Sequence, residues 1–245
     1  MADERVAIVT GSGKGIGRGI AKRLAVDGIT VVVNYQKDQA AGQEALAQVQ
    51  AHAPRSMAVQ ADVSTPEGAK QLIDQTLAAL GRLDILVNNA GPFLVKSVFD
   101  TEVDEWRRVI DGNLSSAFYC IKFALPTMRA QKSGNIVNVG SLNVETTRGA
   151  PTTAAYNAAK TGLVVLSKSV ARGEARYGIR SNLVNPGFID TYSMSDADRR
   201  ELPSLVPLGS LGTAADIAEA IAFLVSEKAR YITGAVLNVH GGLWV

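Results

Sequence analysis

The chain has 245 residues and a formal net charge of +2, with 25 basic and 23 acidic side chains scattered along it. This pattern provides no basic surface for nucleic acid or an anionic membrane, so we expect small-molecule partners. A single cysteine, Cys120, excludes an intramolecular disulfide and a cysteine-rich metal site, and without a signal peptide or a membrane-length apolar stretch we expect a cytoplasmic protein.

Short β-branched runs alternate with longer segments of helical apolar period. This alternation predicts βαβ units, and strands apolar on both faces predict a parallel sheet covered by helices on both sides. The predicted strands are 6–9, 30–33, 56–60, 85–87, 135–139, 181–184 and 236–239. The predicted helices are 16–27, 39–52, 66–80, 103–111, 114–131, 154–177 and 214–225. We therefore predict one α/β domain over residues 1–245, with a doubly wound, seven-stranded parallel sheet.

The least regular segment is 191–212, which is polar at first and then contains Pro203 and Pro207. We predict a substrate-loop insertion there, with a short helix near 196–201. A long loop in an otherwise compact chain is often a substrate lid.

The first predicted strand runs through Thr10 into a glycine-rich turn and then directly into a helix. Glycines at this point allow a tight turn, a close approach of the backbone to a pyrophosphate, and packing of helix against strand. The helix N-terminus can then bind the phosphates, which predicts a Rossmann-type dinucleotide site. The residues of this predicted site are Gly11, Ser12, Gly13, Lys14, Gly15, Ile16 and Gly17.

The end of the second strand predicts the cofactor preference. An Asp or Glu about 20 residues past the glycines holds the ribose hydroxyl of NAD, whereas this chain has Asn34, Tyr35, Gln36 and Lys37. Lys37, together with the lysine of the glycine loop, could neutralise a 2′-phosphate. The sequence therefore favours NADP(H) over NAD(H), although a strand that ended later would bring Asp38 into range.

Tyr156 and Lys160 lie one helical turn apart, with Ser141 fifteen residues before the tyrosine. A neighbouring ammonium favours a phenolate and so lowers a tyrosine pKa from its usual value of about 10. The pair is therefore a candidate acid/base.

In this order the motifs resemble the short-chain dehydrogenase/reductase family, and the likeness covers the whole chain. They are the 10–17 loop, Asp62 and Val63, the run Asn88, Asn89, Ala90 and Gly91, then Asn113, Ser141, the Tyr156 to Lys160 segment, and Pro186 and Gly187 with Thr191. Within the family the chain looks most like 3-oxoacyl-(acyl-carrier-protein) reductases, on the strength of residues 231–234 and 238–242.

The resemblance implies four catalytic residues: Asn113, Ser141, Tyr156 and Lys160. Tyr156 would protonate the substrate carbonyl oxygen as hydride reaches the carbon, and Ser141 would stabilise the charge that develops on that oxygen. Lys160 would lower the tyrosine pKa and hold the nicotinamide ribose. Asn113 would hold a water that resupplies protons, or would cap the helix that follows it.

The resemblance also implies which residues hold the rest of the cofactor. Asp62 and Val63 would meet the adenine, unless Asp62 is only a turn residue. The other implied contacts are Asn89, Ala90, Gly91, Pro186, Gly187, Ile189 and Thr191, with Tyr156 and Lys160. The implied substrate-binding residues are Phe93, Ser141, Asn143, Tyr156 and Tyr192, and no metal is expected.

Three features depart from the acyl reductases that the chain resembles. The insert 144–148 is polar and would border the substrate pocket, and Pro92 and Phe93 place a rigid residue and an aromatic near the site. Of the two positions implied for carrier-protein binding, Lys132 remains basic and Tyr177 does not, so docking of an acyl carrier protein is doubtful.

The leading prediction is an NADPH-dependent carbonyl reductase of the 3-oxoacyl type. An NAD(P)-dependent alcohol or sugar dehydrogenase and a non-catalytic dinucleotide-binding sensor or scaffold stay as alternatives. The apolar end, Leu243, Trp244 and Val245, is of a kind that family members bury against a neighbouring subunit, so we expect a homotetramer.

Overall fold

The computed structural model describes residues 5–147 and 149–243, and in them seven parallel strands form one sheet. The strand order is β3-β2-β1-β4-β5-β6-β7. The chain therefore starts in the middle, builds outward to β3, and then crosses to the other side of β1. The strands are β1 Val6–Val9, β2 Thr30–Tyr35, β3 Met57–Gln60, β4 Ile85–Asn88, β5 Gly134–Val139, β6 Ile179–Pro186 and β7 Val236–Val239.

Helices cover both faces of this sheet, as the apolar strands predicted. They are α1 Gly15–Val26, α2 Gln39–Gln50, α3 Pro66–Leu80, α4 Val103–Ile110, α5 Ser116–Gln131, α6 Ala154–Glu174, α7 Asp196–Glu201 and α8 Ala214–Leu224. The prediction of a doubly wound α/β fold is confirmed. None of these helices is long and apolar enough to cross a membrane.

Alternate strand residues point to opposite faces and build two separate cores. On β1, Val9 packs with α1, α2 and α8, whereas the adjacent Ile8 packs with α3 and α5. Both side chains are fully buried. Because the central strands β1, β2 and β4 are buried on both faces, the carboxyl ends of the strands are where a cleft can open.

The predicted break between the fourth and fifth helices is wrong. A π-helical segment, Asp111–Ser115, joins α4 directly to α5. Gly112 permits this path because a Cβ there would lie 2.4 Å from Cδ of Pro92. Glycine and asparagine often mark the end of a helix. Here Gly112 is required by its close packing against Pro92, and Asn113 donates to Val109 O in the preceding turn.

The segment 191–212 contains α7 and a 3₁₀ turn, Leu202–Leu205. Its two ends are tied together, because Asp190 N donates to Gly212 O and Gly212 N donates to Phe188 O. The short helix has the bounds that the sequence predicted. Other boundaries move by up to three residues, for example in β6, which continues to Pro186.

Candidate active site

A cleft of about 920 Å³ opens at the carboxyl ends of the strands, where the strand order reverses between β1 and β4. This is the place where open parallel sheets bind ligands. The glycine-rich turn after β1 lines one part of the cleft. Tyr156 and Lys160 line another, so the cleft joins the two predicted halves of the site.

The start of α1 can accept the phosphates of a dinucleotide. Lys14 is its N-cap but makes no side-chain capping bond, and the first turn contains no acidic residue. Gly15 has a φ of 53°, and a Cβ on Gly17 would lie 2.5 Å from both Gly11 O and Asn89 Nδ2. Unpaired N–H groups and a backbone open to close approach fit a pyrophosphate.

Ser12 and Gly13 do not line this cleft. Ser12 is fully buried, and its hydroxyl donates to Val9 O and accepts from Asn34 N. The carbonyl of Gly13 accepts from the guanidinium of Arg18. These two residues shape the loop, while the glycines beside them border the cleft.

At the end of β2, the first two predicted cofactor residues are packed into the fold and the next two are exposed. Asn34 reaches the cleft wall but is 2% exposed, with Oδ1 accepting from Gly11 N and Nδ2 donating to Val59 O and Ala61 O. Tyr35 is absent from the lining, because its ring packs over Gly42 on α2. Of these four residues at the end of β2, Gln36 and Lys37 are the ones with exposed side chains that line the cleft.

Asp38 lies outside the cleft lining, as the N-cap of α2. Its carboxylate accepts from Ala41 N and forms an ion pair with Lys14 at 2.5 Å. The hydrogen bond with Lys14 holds the pKa of Asp38 below its ordinary value. The lysine that was predicted to meet a phosphate is thus already paired with a carboxylate.

The third and fourth strands end in the predicted adenosine wall. Asp62 accepts from the backbone and the hydroxyl of Ser64, and these bonds together with one from Gln36 outweigh burial and lower its pKa. Asn89 donates to Thr10 O and Gly11 O. Val63, Ala90 and Gly91, which were also predicted, line the cleft on this side together with Ala61 and Ser64.

Tyr156 points into the cleft with Ser141. Burial raises the pKa of Tyr156, and a hydrogen bond from Ser141 opposes that rise. The ring of Phe93 meets the tyrosine ring edge-on, with centroids 4.8 Å apart. A hydroxyl that keeps its proton and is held by a second hydroxyl is suited to donating a proton.

Lys160 is buried close to Tyr156. Its Nζ donates to Val139 O at 2.7 Å and lies 5.7 Å from the centre of the Tyr156 ring. Burial lowers the lysine pKa to about 8. The hydrogen bond from Ser141 only opposes the rise that burial causes in the pKa of Tyr156.

Asn113 lies in the π-helical segment and does not line the cleft. The alternative that it caps a helix is wrong, since Nδ2 donates to Val109 O and Pro92 O, each at 2.9 Å. Its Oδ1 is buried without a hydrogen-bond partner, and a Cβ on Gly91 would lie 2.1 Å from that atom. The orphaned oxygen is an acceptor available to a water.

The far wall of the cleft is formed by the end of β6 and the segment after it, with Pro186, Gly187, Ile189 and Thr191. Tyr192 also lines the cleft, but its ring lies over the glycine loop. Nζ of Lys14 is 5.4 Å from the ring centre, and a Cβ on Gly15 would contact the ring. The start of the 191–212 segment therefore covers the cofactor end.

The prediction that the polar insert borders the substrate pocket is wrong for its described residues, 144–147. None of them lines the main cleft, and Glu145 instead bonds to Asn185 and Asn238 at the ends of β6 and β7. Asn143, predicted to bind substrate, lines a separate cavity of about 220 Å³. Arg148 of the insert lies outside the described residues.

Some cleft residues carried no signal in the sequence. Arg108 on α4 lines the cleft, and Met194 and Asp198 line it from the 191–212 segment. Arg108 sits in an amphipathic helix among other charges, where only the fold shows which side chain faces the site.

Three further predictions concern a metal site, the apolar C-terminal end and the positions implied for carrier-protein binding. No group of three His, Cys, Asp or Glu side chains suited to a metal occurs in 5–147 or 149–243. Leu243 is 1% exposed within the single chain, whereas Trp244 and Val245 lie outside the described residues. The Tyr177 ring lies between Arg129 and Arg176, and Lys132 caps α5.

A strand-order reversal, an uncapped glycine-rich helix start and a Ser–Tyr–Lys set in one cleft define a dinucleotide-binding α/β enzyme. A family model described as "Enoyl-(Acyl carrier protein) reductase" matches residues 11–244. The chain is 40% identical over 248 residues to 3-oxoacyl-[acyl-carrier-protein] reductase FabG of Staphylococcus aureus, covering 100% of both chains. It is 37% identical to glucose 1-dehydrogenase 2 of Bacillus subtilis, covering 98% of this chain and 94% of the relative.

Among solved structures, the chain is similar to a putative short-chain alcohol dehydrogenase from Sinorhizobium meliloti. The TM-score is 0.91 at 34% identity, over 97% of this chain and 95% of the other. The chain belongs to the short-chain dehydrogenase/reductase family. It is an oxidoreductase that uses a nicotinamide dinucleotide and interconverts CH–OH and C=O groups.

Proposed function

We propose that the protein is an NADPH-dependent carbonyl reductase that converts a ketone of the 3-oxoacyl type to a secondary alcohol. The observation that carries the proposal is that Ser141 and Tyr156 line the same cleft as the start of α1, with the serine hydroxyl opposing the burial that raises the pKa of Tyr156. Relatives named as 3-oxoacyl-[acyl-carrier-protein] reductases, among them those of Staphylococcus aureus and Synechocystis, support this substrate type.

The bound dinucleotide supplies the hydride. Tyr156 donates its proton to the carbonyl oxygen, so that hydride and proton together turn C=O into CH–OH. Ser141 donates a hydrogen bond to the same oxygen and stabilises its developing negative charge. Lys160 and the backbone at the start of α1 would hold the cofactor, and the free Oδ1 of Asn113 would order a water for proton resupply.

The preference for NADP(H) is part of this proposal. Lys14 and Lys37 line the cleft, while Asp38, the one carboxylate near them on that loop, caps α2 and pairs with Lys14. A 2′-phosphate can therefore meet Lys37 directly and compete with Asp38 for Lys14. An NAD-type arrangement would instead need a carboxylate facing the ribose.

The Lys37→Ala variant tests this preference. We expect the KM for NADPH to rise about tenfold, which is the loss of one charge-assisted hydrogen bond, with the KM for NADH unchanged. Lys22→Ala, an exposed lysine on α1 outside the cleft lining, is the matched control. An equal change for both cofactors would refute the proposed phosphate contact.

A substrate panel tests the activity itself. NADPH or NADH oxidation is followed with an N-acetylcysteamine 3-oxoacyl thioester, ethyl acetoacetate, aromatic ketones and quinones, and alcohols and glucose are tested in the oxidative direction. The thioester or the ester should be reduced. We expect free substrates to suffice, because Tyr177 already stacks between two arginines and docking of a carrier protein is doubtful.

A second candidate is the oxidation of an alcohol or sugar, which the similarity to a glucose 1-dehydrogenase favours. It would be supported if glucose or another polyol were turned over while every ketone failed. Tight NADPH binding without turnover of any compound would instead support a dinucleotide-binding sensor or scaffold. We further propose that the protein is cytoplasmic, has a single domain and assembles as a homotetramer.

A further inference from the structure

Glu145 forms an unusual pair of contacts at the back of the site. It lies in the 3₁₀ turn Val144–Thr146, between β5 and α6. Each carboxylate oxygen accepts from a different carboxamide at 2.7 Å, Oε2 from Asn185 Nδ2 and Oε1 from Asn238 Nδ2. One acidic side chain therefore fastens this connection to the ends of both β6 and β7.

Asn185 transmits this contact to the proposed catalytic serine. It is completely buried, and besides Glu145 its Nδ2 also donates to Asn238 Oδ1 at 2.9 Å. Its Oδ1 accepts from the backbone N–H of Ser141 at 3.2 Å. Ser141 lines the same cleft as Tyr156, and its hydroxyl opposes the rise in the pKa of that tyrosine. Hydrogen bonds thus connect Glu145 through Asn185 to the backbone of Ser141, which lies beside the proposed proton donor.

The charge on Glu145 determines which way the Asn185 amide faces. An ionised carboxylate accepts hydrogen bonds and cannot donate them, so it requires the NH₂ group of Asn185 on its side. The amide oxygen must then face Ser141 N. A neutral donor in place of Glu145 would remove this requirement, and a flipped Asn185 would point its NH₂ group at a backbone N–H.

The backbone around Glu145 shows why such a tie is needed. Asn143 and Thr147, which flank the 3₁₀ turn, have φ values of 60° and 54°. A left-handed conformation is unfavourable for a residue with a side chain, so the turn needs external contacts to persist. Ser141 lies two residues before Asn143, so its position depends on the same backbone path.

We propose that Glu145 is a positioning residue, which orients Ser141 for proton transfer through Asn185. The inference rests on the proposed function of Ser141 and Tyr156 and adds a residue that touches neither substrate nor cofactor. Loss of the tie would let Ser141 move away from the Tyr156 hydroxyl. The tyrosine would then lose the hydrogen bond that opposes the rise in its pKa.

Glu145→Gln is the test, because it keeps the shape and removes the charge. With ethyl acetoacetate or the best substrate of the panel, kcat should fall about 10- to 100-fold with KM little changed, as expected for a displaced catalytic group. In the oxidative direction Tyr156 must be deprotonated, so the rising limb of the kcat–pH profile should move to higher pH. Glu145→Asp should recover part of both effects.

Thr146→Val is the matched control. Thr146 lies on the same turn as Glu145, and no hydrogen bond joins it to Asn185. The substitution removes only the hydrogen bond from the Thr146 hydroxyl to Asn143 O. It should keep the wild-type kcat and pH profile, even where the thermal midpoint falls. If Glu145→Gln behaved in the same way as this control, Glu145 would only stabilise the loop and the proposal would be overturned.

Hydrogen exchange of the Ser141 amide, measured by NMR without substrate, tests the tie independently of turnover. Exchange should be faster in Glu145→Gln and unchanged in Thr146→Val. Equal exchange rates in wild type and Glu145→Gln would overturn the inference. Wild-type turnover by Tyr156→Phe would overturn the proposed function instead, so the two failures are distinguishable.

Discussion

Asn34 provides a sharp test of the site, because sequence and structure give it different roles. The sequence makes it a cofactor ligand, whereas in the fold its amide joins the glycine loop to β3. Asn34→Ala would leave Gly11 N–H without its acceptor and two carbonyls without a donor. At about 1 kcal/mol or more for each group, the free energy of unfolding should fall by about 3–5 kcal/mol. That is a large share of a typical stability of about 5–15 kcal/mol.

Urea denaturation without dinucleotide measures this effect, and Gln36→Ala is the control. Gln36 lines the same wall with an exposed side chain, so its loss should change stability by less than about 0.5 kcal/mol and act mainly on cofactor binding. The reasoning is refuted if Asn34→Ala loses less than about 1 kcal/mol while its affinity for NADPH falls as in Gln36→Ala.

Two further variants probe burial and close packing. Because burial lowers the pKa of Lys160 to about 8, only the unfolded chain holds that proton between pH 8 and the usual value of about 10.5. Wild type should therefore gain up to about 3 kcal/mol relative to Lys160→Met as pH rises through this window, measured by urea denaturation; a pH-independent difference would contradict the burial of a charge. Gly91→Ala should displace Asn113 and lower both kcat and the thermal midpoint, whereas Gly173→Ala, in open space on α6, should stabilise by about 0.5–1 kcal/mol. Equal effects of the two alanines would rule out the predicted clash.

Much of the fold was predictable because its signals are local. Strands such as β1 are apolar on both faces, and glycines that must turn at the mouth of α1 occur in a fixed order. The continuous path from α4 to α5 through Gly112 was not predictable. The glycine is needed there because it packs against Pro92, twenty residues earlier in the sequence. Asn113 likewise resembles a cap until its two carbonyl partners are known.

The sequence predicted many of the residues that line the cleft, but it did not predict which other residues their side chains contact. The pairing of Lys14 with Asp38 depends on where β2 ends and α2 begins, which the sequence leaves open by two or three residues. The role of Glu145 depends on Asn185 and Asn238, which come 40 and 93 residues later. Such long-range hydrogen bonds have no local pattern, so only the folded chain reveals them.

The central claim is that Tyr156 donates the proton that accompanies hydride transfer. The most direct measurement compares wild type and Tyr156→Phe in single-turnover reduction of the best panel ketone, with NADPH binding followed by fluorescence. The phenyl ring keeps the edge contact with Phe93, so NADPH should bind normally while the rate falls by about 10²–10⁴. Near-normal turnover by Tyr156→Phe would contradict the account.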